Sequence, residues 1–231
     1  DNVFNINGIT YYERGYPPNL SNGYTINNVF FDSRKLELTG NTVAAIGVRD
    51  IDVFKFRYVE GPYADSNLRI NCAVAHLKAG NSQNDRDQRA NSTSQLMQYI
   101  ANDGGVNYTF SGDFNLYYAS ETAFQNLLAY PNESIRFFDP IDEVGYWNSN
   151  PNYAHVHTQS THSGGNCFSG GGLDDRFDFV LVSGDILNGT EKIKYNPGSY
   201  RAVGQDGQHY NSSLTSSPTN TSIPSDVLNA L

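Results

Sequence analysis

Residues 109–118 read TFSGDFNLYY, an apolar strand pattern that is broken by Gly112 and Asp113 and then by Asn115. Taken alone, Gly-Asp-x-Asn most simply predicts a turn at the end of a strand, because Gly, Asp and Asn favour turn conformations. A carboxylate and an amide at a buried strand end also suit a phosphate or a hard divalent cation, which prefers oxygen ligands. The remaining strands decide between these two interpretations.

Two further stretches bring polar side chains to the ends of buried strands. NLRINCAVAHLKAG (67–80) contains a nearly continuous apolar run that ends on His76. DDRFDFVLVSGDI (174–186) contains another, Phe177 to Val182, which is opened by Asp175, Arg176 and Asp178. Continuous apolar runs are typical of strands that are covered on both faces. Ligands of open α/β sheets bind where strand ends converge. A lone His or Asp is more often structural, but the three together predict a site at one sheet edge.

The pattern along the chain predicts one α/β domain over residues 1–231. A helix is expected at 85–103, because apolar residues recur at helical spacing and glycines follow, and a second at 120–130 with Ser120 as N-cap. DVFKFRYVEG (52–61) alternates apolar and charged residues, which predicts an antiparallel edge strand with one face in water.

Composition and charge limit the range of possible functions. The formal net charge of −9 argues against a general basic face for nucleic acid, but a divalent cation could still supply positive charge locally to a phosphodiester substrate. No stretch approaches the roughly 20 apolar residues of a membrane span, so no stable membrane insertion is expected. Few lysines, one Met and many Asn and Tyr residues favour a secreted protein. Cys72 lies in a strand pattern and is expected to be a buried thiol, while a pairing with Cys167 stays open.

The segments AHLKAG (75–80), SGDFN (111–115) and DDRFDFVLVS (174–183), with the helix that carries Arg86 and Arg89, resemble the endonuclease/exonuclease/phosphatase superfamily. This superfamily includes the DNase I-like nucleases, abasic-site endonucleases, sphingomyelinases and inositol polyphosphate phosphatases. The resemblance covers about residues 25 to 186 and includes a similarity to secreted bacterial members.

The resemblance implies a four-layer α/β sandwich, with two mixed β-sheets packed face to face and helices outside. It implies a phosphoesterase, most simply a secreted nuclease-like phosphodiesterase acting on DNA or RNA, in which Mg²⁺ (or Mn²⁺ or Ca²⁺) assists the attack of water. The residues that match the family's catalytic positions are His76, Asp113 and Asp178, with Asp113 also as metal ligand. Those that match phosphate- or substrate-binding positions are Asn115, Arg176 and Gln159.

Two elements of the family pattern are not found in the sequence. No Glu follows a first strand ending in Asn, where the family has its metal ligand, and the final Ser-Asp-His is replaced by Ser225-Asp226-Val227. Asp206 and His209 offer the one substitute for the missing His. We therefore expect a domain shortened at both ends, and whether it is an enzyme stays open.

Two alternatives remain. The first is a non-catalytic relative that keeps the fold as a binding or assembly module. The second is a lipid phosphodiesterase with an exposed aromatic hairpin around Tyr146 and Trp147, although such residues more often pack within loops.

Overall fold

A computed structural model describes residues 4–23, 27–159 and 172–228. The strands are β1 (Tyr12–Gly15), β2 (Val29–Asp32), β3 (Leu36–Ala45), β4 (Ile51–Tyr58), β5 (Arg69–His76), β6 (Tyr108–Asp113), β7 (Phe137–Phe138) and β8 (Asp178–Ser183). The helices are α1 (Gln83–Asp103), α2 (Thr122–Leu128), α3 (Gly184–Asn188) and α4 (Ser225–Leu228). Strands β3 to β8 form a mixed six-stranded sheet in the order β3-β4-β5-β6-β8-β7, and β1 pairs with β2 in a separate two-stranded sheet.

Helix α1 covers one face of the large sheet. Its first turn is fixed by a capping box, in which Ser82 and Asp85 each accept a hydrogen bond from the other's backbone N–H, and it ends at Gly104 in the left-handed conformation. Its apolar side chains join α2 and the inward residues of the strands in the largest core cluster. The predicted helix at 85–103 is confirmed, with a start two residues earlier.

Helix α2 begins later than the sequence suggests. Its N-cap is Glu121, not Ser120, and the Glu121 side chain makes no capping hydrogen bond. The Glu121 carboxylate is instead occupied by Arg89 of helix α1. A tertiary ion pair has therefore displaced the local N-cap signal that Ser120 provides.

The two-stranded sheet packs against the other face of the large sheet. The ring of Phe31 in β2 lies 5.0 Å from that of Phe56 in β4, and Phe54 joins the same cluster. The α/β class and the second sheet are thus confirmed, and in the described residues this second sheet consists of β1 and β2.

Strand β4 is an interior strand, so the expectation of an edge strand with one wet face was wrong. It pairs with β3 on one side and β5 on the other, and Val53 and Phe54 on its opposite faces are both buried. The charged residues that suggested a wet face reach partners near the end of the strand. Lys55 pairs with Asp103 at the end of α1, and Arg57 pairs with Glu37 across from it on β3.

The centre of the large sheet contains one parallel and one antiparallel pair. Strands β5 and β6 are parallel, with His76 opposite Asp113, whereas β6 and β8 are antiparallel, with Asp113 opposite Asp178. The connection between β5 and β6 runs through α1, as parallel strands require. This pairing brings the last residues of β5 and β6 and the first residue of β8 together at one end of the large sheet.

Among the described helices, none is both long and apolar enough to cross a membrane. Cys72 is a free cysteine, and burial raises the pKa of its thiol. Cys167 lies outside the described residues. The single domain over 1–231 stays a prediction.

Candidate functional site

His76, Asp113 and Asp178 form a row across three adjacent strands. Their neighbours Ala75, Phe110 and Phe179 all belong to the core under the helices. Because side chains alternate along a strand, the three polar residues face the opposite side of the sheet. His76 Nε2 lies 3.3 Å from Asp113 Oδ2, and both side chains are about one-third exposed, at 36% and 32%. We call these three residues the polar row.

Gly112 and Asn115 explain why the motif has this spacing. Gly112 has a φ of +132°, and a Cβ at this position would lie 1.9 Å from the carbonyl oxygen of Ala75. Asn115 has a φ of 49°, and its backbone N–H donates to Asp113 Oδ1 at 2.9 Å. Gly-Asp-x-Asn is therefore both a turn and a support for the carboxylate, so the two interpretations of the sequence are compatible.

Burial shifts the protonation of the polar row. Burial, with a smaller contribution from the charge of Asp178, raises the pKa of Asp113 to about 6. Burial also raises the pKa of Asp178, against a hydrogen bond from Thr158 and the charge of His76. Burial and the charge of Arg49 lower the pKa of His76, and Asp178 opposes them. The row at neutral pH thus combines a neutral imidazole with a carboxylate poised near neutrality.

Two residues that the sequence did not single out act on the row. Arg49, in the connection from β3 to β4, donates from Nη1 to the carbonyl oxygen of Leu77 at 2.7 Å, directly after His76. Thr158 Oγ1 accepts the backbone N–H of Asp178 at 2.9 Å. Both lie in irregular segments, where no periodic pattern points to a site. Arg49 can be recognised as a neighbour of the polar row only once β4 is known to lie beside β5.

Asn115 lies behind the row. Its side chain is buried, and its Nδ2 donates to the carbonyl oxygen of Leu77 at 3.2 Å. This contact joins the segment after β6 to the segment after β5. In the described structure, Asn115 fixes Asp113 and the neighbouring backbone.

Arg176 does not join the row. Its guanidinium forms a two-pronged ion pair with Asp139, at 2.7 and 3.0 Å, and neither side chain is exposed. Its Cζ lies 4.4 Å from the centre of the Phe179 ring, on the helix side of the sheet. Because β8 begins only at Asp178, residue 176 is outside the alternation that aligns Asp178 with the row. The described contacts of Arg176 are structural.

Gln159 is one residue from Thr158, but its side chain turns elsewhere. Its amide, with the nitrogen as donor, contacts the Asp174 carboxylate at 2.8 Å and the carbonyl oxygen of Gly172. Its backbone N–H donates to the carbonyl oxygen of Asp175. The amide thus ties the described end of its loop to the segment before β8.

The two remaining sequence candidates are structural. His209 is buried, with Nδ1 at 2.8 Å from Asp206 and Nε2 within reach of the carbonyl oxygens of Ser216 and Pro218, so both ring nitrogens are occupied away from the row. Trp147 is fully buried and donates from Nε1 to the carbonyl oxygen of Leu116 at 2.8 Å. It is therefore not part of an exposed aromatic hairpin.

A buried ion pair supports the loops beside the row. Arg89 in α1 pairs with Glu121 at 2.6 Å, and its Nη1 donates to the carbonyl oxygens of Lys78 and Gly80. The other oxygen of Glu121 accepts the backbone N–H of Tyr117. This pair joins the loop after β5 to the loop after β6, the two loops that carry the continuation of His76 and Asp113.

Within the described ranges, no three His, Cys, Asp or Glu side chains converge as a metal-binding group. The row nevertheless provides two neighbouring carboxylates. Mg²⁺ in phosphate chemistry is often held by one or two carboxylates, with water and substrate oxygens completing its shell. Asp113 and Asp178 fit that smaller set, because the charge of Asp178 makes ionisation of Asp113 less favourable and a cation would offset this repulsion.

No family model and no curated protein matches the chain. Several solved structures do. The human Nocturnin catalytic domain with bound sulfate is 15% identical with a TM-score of 0.47, and the match covers 75% of this chain and 61% of that one. Truncated Caenorhabditis elegans TDP2 is 19% identical with a TM-score of 0.46, over 75% and 62% of the two chains.

An endonuclease/exonuclease/phosphatase family protein from Bacteroides thetaiotaomicron is 13% identical with a TM-score of 0.44, over 76% of this chain and 60% of that one. The chain spans about three-fifths of the length of these three structures, and all three TM-scores are below 0.5.

Proposed function

We propose that the chain is a metal-dependent phosphoesterase domain whose reaction takes place at the polar row. The observation that carries this proposal is the register of three strands, which sets His76, Asp113 and Asp178 side by side at one sheet edge. Sites that transfer protons commonly contain titratable groups with opposed pKa shifts, and the half-buried His76 and Asp113 have this property.

Each side chain has a role that follows from its contacts. Asp113 has a pKa of about 6 without a cation, so it is largely ionised at neutral pH, where it orients the attacking water and accepts its proton. His76 stays neutral there and donates an N–H to a phosphate oxygen. The charge of Asp178 interacts with both groups: it raises the pKa of Asp113, and the charge of His76 lowers the pKa of Asp178 in turn. Asn115 keeps Asp113 Oδ1 in place through its backbone N–H.

Asp113 and Asp178 are the residues that would hold Mg²⁺ or Mn²⁺. When bound, such a cation supplies positive charge beside the phosphate oxygens. The polar row itself lacks positive charge. With a net charge of −9, the chain depends on such local charge to accept an anionic substrate. The proposed substrate is a phosphodiester of DNA or RNA, and the proposed location, from composition, is outside the cell.

The test is hydrolysis of bis-p-nitrophenyl phosphate and of plasmid DNA in Mg²⁺ or Mn²⁺, with Asp113→Ala beside Asp87→Ala as a matched control on the exposed face of α1. We expect turnover that needs the metal, is lost in Asp113→Ala by at least about a hundredfold, and is kept in Asp87→Ala. Equal turnover in the two variants would exclude the row as the reaction site.

A binding module is the second candidate, and one observation favours it. The polar row provides two carboxylates for a metal, and no group of three or more possible His, Cys, Asp or Glu ligands is found among the described residues. In that case the chain shows no metal-dependent turnover, yet inorganic phosphate still perturbs the His76 ring signals in an NMR titration. Turnover that disappears in Asp113→Ala contradicts this alternative.

A further inference from the structure

Asp50 and Asp52, at the start of β4, are two buried carboxylates outside the polar row. Asp50 is 5% exposed and Asp52 is 1% exposed. In each of them Oδ1 is buried and has no hydrogen-bond partner. An unsatisfied buried carboxylate oxygen is costly, and buried charges in proteins are normally paired or bound to a metal.

The other oxygens of these carboxylates show where the side chains point. Asp50 Oδ2 accepts the backbone N–H of Ser21 at 3.0 Å. Asp52 Oδ2 accepts from Nδ2 of Asn27 at 2.7 Å, and the same Nδ2 donates to the carbonyl oxygen of Asp50 at 3.0 Å. Both carboxylates therefore face the segment that precedes β2, and Asp50 is near enough for its charge to act on Asp52.

No cation of the described protein balances this pair. The charged side chain that acts on Asp52 is Asp50, a second carboxylate. Neither residue takes part in an ion pair among the described side chains. Arg49 is adjacent in sequence, but its guanidinium donates to the carbonyl oxygen of Leu77.

We propose that Asp50 and Asp52 form a structural binding site for a hard divalent cation, and that this cation is Ca²⁺. Oδ1 of each carboxylate is the ligand, and backbone oxygens or water complete the shell. Ca²⁺ suits the site because it accepts six to eight oxygen ligands in flexible geometry, whereas Mg²⁺ requires a near-ideal octahedron that an irregular segment does not easily supply.

The site lies one strand away from the polar row, with Asp52 opposite Val74 of β5, two residues before His76. The charges that act on His76 and Asp113 include those of Arg49 and Asp178, whereas the charge that acts on Asp52 is that of Asp50. Its role follows from its position between the start of β4 and the segment that leads into β2. Bound Ca²⁺ holds the two-stranded sheet onto the large sheet.

Calorimetric titration of CaCl₂ into chelator-treated protein tests the proposal. The background is Asp113→Asn, which weakens cation binding at the polar row. We expect one Ca²⁺ per chain in this background, and at least about tenfold weaker binding when Asp50→Asn or Asp52→Asn is added. The matched control is Asp175→Asn, because Asp175 is also 5% exposed and accepts from an asparagine, Asn148, at 2.8 Å.

Binding that is absent, or that is unchanged by both substitutions, would overturn the site. If the asparagine variants do not fold, the unaltered chain still provides a test by limited trypsin digestion followed by mass spectrometry. Ca²⁺ should slow cleavage at Arg14 in β1 but not at the exposed Lys192. Equal effects of Ca²⁺ at the two positions, or none at Arg14, would also overturn it.

Discussion

Arg89 and Glu121 are joined by an ion pair of 2.6 Å in which both side chains are essentially inaccessible to water, at 0% and 1% exposure. The pair lies behind the polar row and not in it. Its hydrogen bonds hold the loop after His76 and the loop after Asp113 together. A buried pair of this kind contributes more to the geometry of the loops than to net stability.

Arg89→Met should destabilise the protein by about 3 to 5 kcal/mol, because it leaves the Glu121 charge buried without a partner. The double variant Arg89→Met/Glu121→Leu should lose less than the sum of the two single losses. Urea unfolding of all four proteins measures this difference. Additive losses would show that the two side chains do not interact.

Asp113→Asn should stabilise the chelator-treated protein at pH 7 by about 1 to 2 kcal/mol, after allowance for the exposed part of the side chain. The folded state raises the pKa of Asp113 to about 6, so it favours the protonated form. The wild-type protein therefore loses stability as the pH rises from about 4, the unfolded value, through 6. The urea midpoints of the two proteins should agree near pH 4 and diverge by pH 7. A constant difference across this range would contradict the raised pKa.

Arg49→Met should raise the pKa of His76, because the guanidinium charge disfavours the imidazolium form. An NMR titration of the His76 ring signals measures the pKa directly. Arg57→Met is the control, since Arg57 pairs with Glu37 at the other end of β4. The same His76 pKa in Arg49→Met and in wild type would show that Arg49 does not act on the row.

Gly112→Ala should destabilise the protein by about 3 kcal/mol or more, because the new Cβ would collide with the backbone of Ala75. Gly104→Ala provides a matched comparison. Gly104 also has a positive φ, of 72°, but an added Cβ there meets nothing within 4 Å. Its expected loss is about 1 kcal/mol. Thermal unfolding of both variants separates the effect of the collision from that of backbone strain. Equal losses of stability would show that the collision with Ala75 makes no contribution.

The polar row could be predicted from the sequence because each member ends or begins a buried strand. An apolar run identifies a buried strand whatever strands it pairs with. The polar residue next to the run marks the end of the strand, where the site lies. For Arg176 this logic fails, since the residue lies just before β8, where side chains no longer alternate. Its pairing with Asp139 depends on a contact across 37 positions of the chain, which no local pattern encodes.

Other features were hidden for a similar reason. Glu121 replaces Ser120 as the N-cap of α2, and its carboxylate pairs with Arg89 of α1. The charged residues of β4 suggested a wet face, but Lys55 reaches the end of α1 and leaves the strand buried. In both cases a distant charge decides the outcome, and a sequence window of ten or so residues does not contain it.

The contact between Gly112 and Ala75 has a consequence for how such a chain can diverge. The two residues are partners in the parallel β5–β6 pair, and a Cβ on Gly112 would collide with the Ala75 backbone, so the spacing of His76 and Asp113 is set by two hydrogen-bonded main chains. Apolar side chains beneath the sheet have little influence on that spacing. The core can therefore exchange most of its residues over evolutionary time without moving the two groups, provided that one glycine is retained.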